Sequence, residues 1–337
     1  MKAWILARHG DPHAALELRD VPDPMPASDQ LLIAAEGFGL NYADLMAVRG
    51  LYREAPPPPC VLGYEVVGRV VRCGHDASQQ MLGKRVVAFT RFGGQAELVA
   101  VDHLGCVEIP DDLPLGEAAA LATQGCTAWY AARLLCPLRT GDRVLVHTAA
   151  GGVGQLLVQL AVDAGCEVIA VVGNAQKAAF ARSIGAAHVF DRSGVDYAAA
   201  IREILHEQGL DASFNAVGGS TFKKDLNLLG SGGRLVLYGG AERGSGSLSA
   251  LRFVWRMGLV VPVMLMMQSR SLLGLNMLRI GEHKPDVLAE CLRNAVDACQ
   301  QGILRPHVHS TYTRGQLPEA YAALASGKTI GKVVVRW

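Results

Sequence analysis

Hydrophobic and polar positions follow two different patterns along the 337-residue chain. Up to about residue 121, short apolar runs lie between clusters of glycine, proline and aspartate, as strands do between turns. The clearest of these runs are Leu31–Ala35, Glu65–Val71, Arg85–Phe89 and Ala96–Val101. We therefore expect a curled, barrel-like β domain in the first third of the chain.

The pattern changes after Glu117, where apolar runs alternate with segments of helical periodicity. The predicted strands are Val144–His147, Glu167–Val172, Ala187–Phe190, Ala212–Ala216 and Arg234–Tyr238. The predicted helices between them are Gln155–Ala164, Ala175–Ser183, Tyr197–His206 and Thr221–Leu229. Such alternation indicates a doubly wound parallel sheet, so the chain is predicted to be an α/β protein with two domains. In the tail we expect a helix over Pro285–Gln300 and a strand over Lys332–Arg336.

Composition excludes several classes of function. The chain has 32 basic and 31 acidic side chains, so it has no net field that would attract nucleic acid, and we expect no nucleic-acid partner. The eight cysteines include no Cys-x-x-Cys pair, and the N-terminus lacks a signal-like apolar region. Both features indicate a cytoplasmic protein with reduced thiols.

The most apolar stretch of the chain precedes the tail. It comprises Phe253–Met257 and Leu259–Met267, and it is rich in methionine. Its uninterrupted apolar part, Gly258–Met267, holds only ten residues, whereas a transmembrane helix needs about 20. This stretch is a candidate lining for a hydrophobic substrate pocket or a candidate membrane contact, and we favour a buried core helix over membrane contact.

A glycine-rich turn supplies the strongest functional signal. Its six residues, Ala149–Gly154, follow the apolar run Val144–Val146 and open a helix, and a further strand completes a βαβ unit. The helix N-terminus offers backbone N–H groups and a positive dipole end to a dinucleotide pyrophosphate. Although Ala149 replaces the first glycine of the usual motif, this context favours a cofactor site over a plain turn. The candidate cofactor-binding residues are Ala150, Gly151, Gly152 and Val153.

The end of the next predicted strand indicates which nicotinamide cofactor binds. An NAD-specific Rossmann fold has an acidic residue here that binds the ribose 2′-hydroxyl. This chain has Gly173 and Asn174 instead, with no acid before Lys177. A missing carboxylate removes repulsion against a 2′-phosphate, and Lys177 adds a cation that can reach it. We therefore expect NADPH rather than NADH; the alternative is that Lys177 only faces solvent.

Two more glycine-containing turns follow predicted strands. Doubly wound sheets bind ligands at the carboxyl ends of their strands, so these turns are candidate contacts to the ribose and nicotinamide. As plain turns they would look nearly the same. The candidate residues are Asn215, Val217, Tyr238, Gly239 and Gly240.

Further segments, in chain order, resemble a single family. They are Gly39–Met46, Gly50–Tyr52, Leu62–Gly68, Glu117–Leu121 and Gly331–Val334, and with the Ala149–Gly154 turn they extend over essentially the whole chain. Together they resemble the medium-chain dehydrogenase/reductase superfamily. Within it the chain resembles the zinc-independent quinone oxidoreductase branch, and most of all homologues of the synaptic-vesicle amine-transport protein.

The resemblance implies a division of the chain and an assembly. It implies a GroES-like β-rich catalytic domain over residues 1–122 and 268–337, and a Rossmann NADPH-binding domain over residues 123–267. Ser271–Met277 resembles the edge strand through which this family pairs Rossmann sheets, so a homodimer is expected. Arg192 lies where the family often has a second contact to the 2′-phosphate, and Thr127 is expected near the nicotinamide carboxamide.

The resemblance also implies that no metal is bound. In the zinc alcohol dehydrogenases of this superfamily, ligand residues fall where Asn41 and Tyr64 stand and near Thr123. A catalytic zinc needs about three good protein ligands, and neutral Asn, Tyr and Thr are poor ones. No window of this sequence holds the four closely spaced cysteines of a structural zinc site.

The implied activity is a metal-free reduction. The resemblance places Asn41, Tyr52 and Tyr64 around the substrate as catalytic candidates, with Asn41 donating from its amide and the tyrosines as proton donors or oxyanion stabilisers. A phenol with a pKa near 10 is a reluctant acid, so solvent is an alternative proton source. We expect an NADPH-dependent reductase of quinones or other small electrophilic carbonyl compounds. The alternatives are an enone or enoyl-thioester reductase and an NADPH-binding, membrane-associated adaptor with little turnover.

Overall fold

The computed structural model describes residues 1–206, 208–244 and 247–337. These residues form two compact units. The first unit comprises Met1–Thr127 and Met277–Trp337, and the second comprises Ala128–Asn276. Both chain ends therefore contribute to the first unit.

The strands of both units are numbered here in chain order. They are β1 Lys2–Leu6, β2 Leu16–Asp20, β3 Gln30–Leu40, β4 Cys60–Val61, β5 Glu65–Cys73, β6 Arg85–Phe89, β7 Leu98–Asp102, β8 Cys106–Glu108, β9 Arg143–His147, β10 Glu167–Val172, β11 His188–Asp191, β12 Leu210–Asn215, β13 Leu229–Leu237, β14 Ser271–Gly274, β15 Val308–Thr313 and β16 Lys332–Arg336.

The α-helices are numbered in the same way. They are α1 Pro12–Ala15, α2 Tyr42–Val48, α3 Leu115–Ala120, α4 Cys126–Trp129, α5 Gly152–Asp163, α6 Ala175–Ser183, α7 Tyr197–Leu205, α8 Phe222–Leu228, α9 Ser247–Met257, α10 Pro262–Met267, α11 Met277–His283, α12 Pro285–Gln300 and α13 Leu317–Ala325. Two π-helical segments, Leu121–Gly125 and Tyr130–Leu135, flank α4.

The second unit is the predicted Rossmann fold. Its sheet has the strand order β11-β10-β9-β12-β13-β14, and each neighbouring pair in this order is parallel. This order, with the reversal between β9 and β12, defines a dinucleotide-binding sheet. The strands β9 and β10 are buried on both faces because helices cover the sheet, which explains their almost continuous apolar sequences.

The first unit is β-rich and mainly antiparallel. One sheet has the order β15-β16-β3-β5-β6-β8, with β7 also paired to β3, and a second sheet has the order β2-β1-β4. The C-terminal strand β16 pairs with β3, aligning Val333 with Leu40. An apolar core around Phe38 and Tyr321 therefore contains residues from both ends of the chain.

The unit boundaries differ from the predicted domain boundaries at 122/123 and 267/268. The segment up to Asn276 belongs to the second unit because β14 hydrogen-bonds with β13 in register, which places Ser271 opposite Arg234. The first unit extends to Thr127 at the other boundary.

The prediction of a buried core helix for the apolar stretch is wrong. Leu248–Met267 satisfies the length and hydropathy of a membrane span, with a mean hydropathy of 1.6 over 20 residues, yet none of it is buried. It forms two helices, α9 and α10, separated at Gly258, whose φ is +68°. Proline in the first turn of α10 favours a new helix start.

Candidate functional site

Asn41 is the centre of a buried polar cluster in the first unit. It precedes α2, and its side chain is 6% exposed. Its Oδ1 accepts hydrogen bonds from Lys332 Nζ at 3.0 Å and Gln124 Nε2 at 3.2 Å, and its Nδ2 donates to Glu65 Oε1 at 3.2 Å. Two donors on one side and a carboxylate on the other fix the orientation of the amide. Its second N–H has no acceptor among the described residues.

An ion pair between Glu65 and Lys332 supports this amide. Both side chains are fully buried, and Glu65 Oε2 also accepts a hydrogen bond from Thr123 N at 3.0 Å. Burial lowers the pKa of Lys332, while the neighbouring Glu65 carboxylate acts in the opposite direction. Gly39 permits this pair, because a Cβ at position 39 would lie 2.7 Å from Lys332 Nζ. The amide orientation thus depends on a fully buried charged pair.

Tyr64 and Tyr52 form an aromatic cluster in the same unit. Their rings are 6.1 Å apart in an edge-to-face arrangement, and Tyr64 also contacts Phe92 at 5.3 Å. The Tyr64 hydroxyl is buried and has no hydrogen-bond partner among the described residues. Burial raises the pKa of Tyr52 to about 12 and that of Tyr64 far above its ordinary value. Both phenols therefore stay neutral and can donate hydrogen bonds, but neither readily gives up its proton.

The positions that hold zinc ligands in the zinc alcohol dehydrogenases carry neutral side chains in this chain. Thr123 Oγ1 donates to the Tyr64 carbonyl at 3.3 Å. Within the described part of the chain, no group of three or more His, Cys, Asp or Glu residues could hold a metal ion. Thr127 donates its hydroxyl proton to the Thr123 carbonyl at 2.6 Å, which leaves its oxygen free to accept a bond from an amide such as a carboxamide.

In the second unit, the glycine-rich turn forms the helix N-terminus that the sequence predicts. Gly151 is the N-cap of α5 and has extended backbone geometry. A Cβ on Gly154 would lie 2.8 Å from the Thr148 carbonyl carbon, so only glycine permits this close packing of helix and turn. Ala150 is buried, whereas Gly151, Gly152 and Val153 are partly exposed. The exposed start of α5 therefore fits an anionic pyrophosphate.

The residues predicted to select the 2′-phosphate come together at the end of β10. The guanidinium of Arg192 lies beside Gly173, with Arg192 Nη2 at 3.7 Å from the place of a Cβ on that glycine. Asn174 caps α6 by accepting a hydrogen bond from Lys177 N at 2.9 Å, which fixes the start of the helix that carries Lys177. Burial, and secondarily repulsion by Arg192, lowers the pKa of Lys177. Two adjacent cations suit a phosphate group.

Asn215 shapes the turn after β12 through its side-chain amide. Asn215 Oδ1 accepts hydrogen bonds from the backbone N–H groups of Val217 and Gly218 at 2.8 and 2.9 Å. Its Nδ2 donates to Asp225 Oδ2 at 2.6 Å and to Thr221 Oγ1 at 2.9 Å. Both ends of the amide therefore shape the turn itself. The direct cofactor contact predicted for Asn215 stays a prediction.

The turn after β13 lies beside this one. The backbone N–H of Ala241 donates to the Ala216 carbonyl at 3.0 Å, which joins the two turns. In this turn, Gly239 is exposed and Gly240 is partly exposed. The hydroxyl of Tyr238 is buried and has no hydrogen-bond partner in the described residues. The predicted contacts Val217, Tyr238, Gly239 and Gly240 thus share one end of the sheet.

Sequence reasoning missed several residues that position the predicted ones. It places Lys332 in a strand and in the family-like segment Gly331–Val334 but assigns it no role in the site. A lysine beside an apolar run is a signal for a buried partner. Asp225 is fully buried and accepts hydrogen bonds from four side chains, those of His147, Tyr197, Ser213 and Asn215. This carboxylate links β9, α7 and β12. Its hub role follows from contacts between distant segments, which no local pattern reveals.

Two family profiles match the chain in the expected order. Residues 27–111 match the alcohol dehydrogenase GroES-like domain, and residues 152–293 match a domain described as zinc-binding dehydrogenase. The GroES-like fold predicted for the N-terminal part is thereby confirmed. Although the second profile is described as zinc-binding, this chain has the neutral residues Asn41, Tyr64 and Thr123 where zinc enzymes of the superfamily have ligands.

Proteins similar over most of this chain fall in the same class. The human synaptic vesicle membrane protein VAT-1 homolog is 32% identical over 324 residues, which are 95% of this chain and 82% of the relative. Rat quinone oxidoreductase-like protein 2 is 29% identical, covering 88% of this chain and 82% of its own. The quinone oxidoreductase of Thermus thermophilus, solved also as its NADPH complex, is 31% identical with a TM-score of 0.81 and full coverage of both chains.

These matches show the family. The chain belongs to the medium-chain dehydrogenase/reductase superfamily, as the sequence predicts. Its relatives there include VAT-1 homologues and quinone oxidoreductase-like proteins.

Proposed function

We propose that the protein is a zinc-independent, NADPH-dependent reductase that delivers hydride to quinones or related electrophilic carbonyl compounds. The observation that carries the proposal is the Asn41 amide, which is locked in orientation and keeps one N–H for a ligand. Such a donor stabilises negative charge that develops on a carbonyl oxygen, which is the task of a metal in the zinc enzymes. The quinone oxidoreductases among its relatives support the substrate class.

The second unit fits NADPH by its own geometry. The N-terminus of α5 at Gly151 would hold the pyrophosphate, and Lys177 and Arg192 would hold the 2′-phosphate. The carboxamide contact expected at Thr127 stays a prediction. When bound, the reduced nicotinamide supplies the hydride.

In the first unit, Asn41 donates a hydrogen bond to the substrate oxygen and so favours hydride addition. Tyr64 and Tyr52 act as neutral hydrogen-bond donors, because their raised pKa values oppose proton release. We therefore assign the proton that completes the reduction to solvent. A quinone suits such a site because its two-electron reduction gives an aromatic hydroquinone. The formation of the aromatic ring supplies much of the driving force, so the reaction needs no metal to activate the carbonyl.

NADPH oxidation against a panel of acceptors tests this function. The panel contains ortho- and para-quinones and α,β-unsaturated ketones, with NADH in parallel and enzyme-free controls. Saturable, NADPH-specific turnover with hydroquinone as product supports the proposal. Turnover only with enones, giving saturated ketones, would establish the alternative alkene reductase. NADPH binding without turnover on any acceptor would favour the adaptor.

Substitution of the amide tests the mechanism separately from the substrate class. Asn41→Ala should lower kcat by about a hundredfold, as loss of one oxyanion donor does in other enzymes. Tyr52→Phe should have a smaller effect because Tyr52 is only a supporting donor. Leu82→Ser, at an exposed position of the same unit, is the control for nonspecific loss. If the Asn41→Ala and Tyr52→Phe variants both turn over at the wild-type rate, neither residue takes part in catalysis.

We also propose a homodimer that forms through β14. This strand lies at the end of the sheet order and pairs with β13 and no further strand among the described residues. An edge strand with a free side can pair with its own copy about a twofold axis. The cysteines, all of them free thiols, support the proposal of a reducing, cytoplasmic location.

A further inference from the structure

A buried carboxylate in the second unit joins the strands that lead to both proposed cofactor turns. Asp225, in α8, is fully buried and accepts hydrogen bonds at both of its oxygens. The Tyr197 hydroxyl donates to Oδ1 at 3.0 Å, and the Ser213 hydroxyl donates to Oδ2 at 2.9 Å. Asn215 Nδ2 donates to Oδ2 at 2.6 Å, and His147 Nε2 lies 2.9 Å from Oδ1 and 2.8 Å from Oδ2. A carboxylate accepts at both oxygens, so this set of donors suits it.

Stability alone is a weak reason for a carboxylate at this position. Removing a carboxylate from water is costly, and hydrogen bonds offset that cost only when their geometry is good. Apolar packing in place of a buried ionic group is often equally stable. The elements that Asp225 joins therefore indicate its role better than its burial does.

The first of these elements is β9, which ends at His147. The next residue, Thr148, has a φ of +49° and begins the turn proposed to hold the pyrophosphate. Its carbonyl accepts a hydrogen bond at 2.7 Å from the N–H of Gly151, the N-cap of α5. Because the His147 side chain is bonded to Asp225, the carboxylate fixes the strand end from which this turn starts.

The second element is β12, which ends at Asn215. The Asn215 amide binds the carboxylate through Nδ2, while its Oδ1 accepts the backbone N–H groups of Val217 and Gly218. Gly218 has a φ of +65°, a conformation that glycine adopts without strain. The Asn215 amide therefore transmits the position of Asp225 to the turn that carries the predicted contact Val217.

The carboxylate bridges the two strands where their backbone pairing ends. The last paired residues of β9 and β12 are Val146 and Phe214, and His147 and Asn215 directly follow them. The strand order of the sheet reverses between β9 and β12, and doubly wound sheets bind ligands in the crevice at such a point. Asp225 thus sets the separation of the two turns just beyond the last backbone contact between their strands.

We propose that Asp225 is a positioning residue for NADPH. Through His147 and Asn215 it holds the turns after β9 and β12 at a fixed separation, so that both halves of one cofactor bind without rearrangement of the protein. A ligand that spans both turns gains affinity from this preorganisation, whereas a ligand that contacts only one turn does not. The inference rests on the proposed cofactor contacts and is independent of which acceptor is reduced.

Isothermal titration of the full chain with ligands of different reach tests the proposal. NADPH and NADH span both turns, whereas 2′,5′-ADP lacks the nicotinamide half. Asp225→Asn keeps the size of the side chain but replaces one acceptor oxygen with an N–H donor that faces other donors. It should raise the dissociation constants of NADPH and NADH by the same factor, about tenfold, while that of 2′,5′-ADP stays within about twofold of wild type.

The other two donors of the same carboxylate provide matched controls. Tyr197, at the start of α7, and Ser213, inside β12, bind Asp225 from positions outside the two turns. Tyr197→Phe and Ser213→Ala each remove one donor, so they should lower the melting temperature, as Asp225→Asn does. In both variants the ratio of the dissociation constants for NADPH and 2′,5′-ADP should keep its wild-type value.

Substitutions of His147 keep the proposal testable if Asp225→Asn does not fold. His147→Gln retains an N–H donor at a similar distance from the backbone, whereas His147→Leu has none. We expect His147→Leu to bind NADPH about tenfold more weakly than wild type and His147→Gln to stay within about threefold. The affinity for 2′,5′-ADP should be unchanged in both.

Three results would overturn the proposal. The first is wild-type affinity for NADPH in Asp225→Asn and His147→Leu. The second is equal weakening of NADPH and 2′,5′-ADP, which would show a general loss of structure. The third is a change of ratio in Tyr197→Phe and Ser213→Ala as large as in Asp225→Asn. The proposed reductase function fails separately, if wild-type protein binds NADPH but reduces no acceptor.

Discussion

At the scale of single residues, buried charge controls the candidate site. Asn41 is oriented by Lys332 and Glu65, two fully buried side chains that form an ion pair. Removing either partner of such a pair leaves an uncompensated charge and typically costs about 3–5 kcal/mol. The pair therefore fixes the amide more firmly than neutral neighbours could.

Lys177 tests the choice of cofactor. Lys177→Glu should raise the dissociation constant for NADPH by about 10- to 100-fold, since it removes a charge-assisted bond to the 2′-phosphate and adds repulsion. The constant for NADH, which lacks that phosphate, should change little. Isothermal titration with both cofactors measures the difference, with the exposed Lys328→Glu as control. Equal weakening for both cofactors would contradict the assignment.

Asp44 gives the protein a distinctive pH dependence of stability. This carboxyl is fully buried, and burial raises its pKa to about 7, although the Asn41 N–H that it accepts opposes the shift. In the unfolded chain its pKa is about 4, so between these values the folded state holds a proton that the unfolded state releases. The contribution of this group to stability is therefore complete below about pH 4 and is lost as the pH rises to about 7.

The variant Asp44→Asn keeps an acceptor for the Asn41 N–H but does not titrate. Relative to wild type, it should gain about 3 kcal/mol of unfolding free energy between about pH 5 and about pH 8. Urea denaturation at both pH values measures the gain. A difference between the two proteins that is independent of pH would show that Asp44 keeps an ordinary pKa.

At the scale of elements, the contact between β9, its turn and α5 decides whether a cofactor can bind. The helix begins at Gly152, directly after a turn in which Thr148 adopts a φ of +49°. Gly154 lies in the first turn of the helix and packs on the Thr148 carbonyl. Small residues are needed here because the helix must approach the strand closely enough to present its N–H groups.

Gly154→Ala tests this packing. The added methyl group would collide with the Thr148 backbone, which cannot rotate away as a side chain could. We expect a loss of about 1–3 kcal/mol in stability and weaker NADPH binding. Thermal unfolding and cofactor titration measure both effects. Gly194→Ala, where a Cβ would meet no atom within 4 Å, is the matched control, and equal behaviour of the two variants would disprove the argument.

At the scale of the whole molecule, the first unit is assembled from both chain ends. The bond between Lys332 and Asn41 joins residues 291 positions apart, and β16 completes the sheet that begins with β3. The amide is therefore oriented only when the C-terminal strand is in place. The edge strand β14 precedes the return of the chain to this unit.

Gly274 tests the proposed dimer at the same scale. The Leu275 N–H donates to the Leu237 carbonyl of β13, so the N–H of Gly274 points to the opposite, free edge, since these directions alternate along a strand. Gly274→Pro should remove a donor from the dimer and yield a monomer with an intact fold. Light scattering during gel filtration measures the mass, with Gly194→Ala as control. A monomeric wild type, or a variant that stays dimeric, would contradict the prediction.

Much of the fold follows from local patterns. The predicted strands Arg85–Phe89, Glu167–Val172 and Lys332–Arg336 and the helices Ala175–Ser183 and Pro285–Gln300 have the observed bounds. Other elements have the predicted type but different ends: β3 runs to Leu40 rather than to Ala35, because pairing with β16 and β5 extends the strand through a glycine-containing sequence. Neighbouring strands set such ends, so the sequence alone does not contain them.

The class of this protein follows from local signals in its sequence. Apolar periodicity indicates a parallel sheet covered by helices. The glycines of the Ala149–Gly154 turn indicate a dinucleotide site, and the lack of an acid at Gly173 and Asn174 argues against NAD. Such signals depend on backbone geometry within a few residues, so a short window of sequence contains them. Long-range contacts, by contrast, bring Lys332 and Glu65 to the Asn41 amide and four side chains to Asp225. The tertiary structure also decides that the apolar segment Leu248–Met267 is exposed. The contacts depend on which distant segments of the chain meet. The burial of an apolar segment depends on the folded chain around it, so hydropathy alone does not determine it.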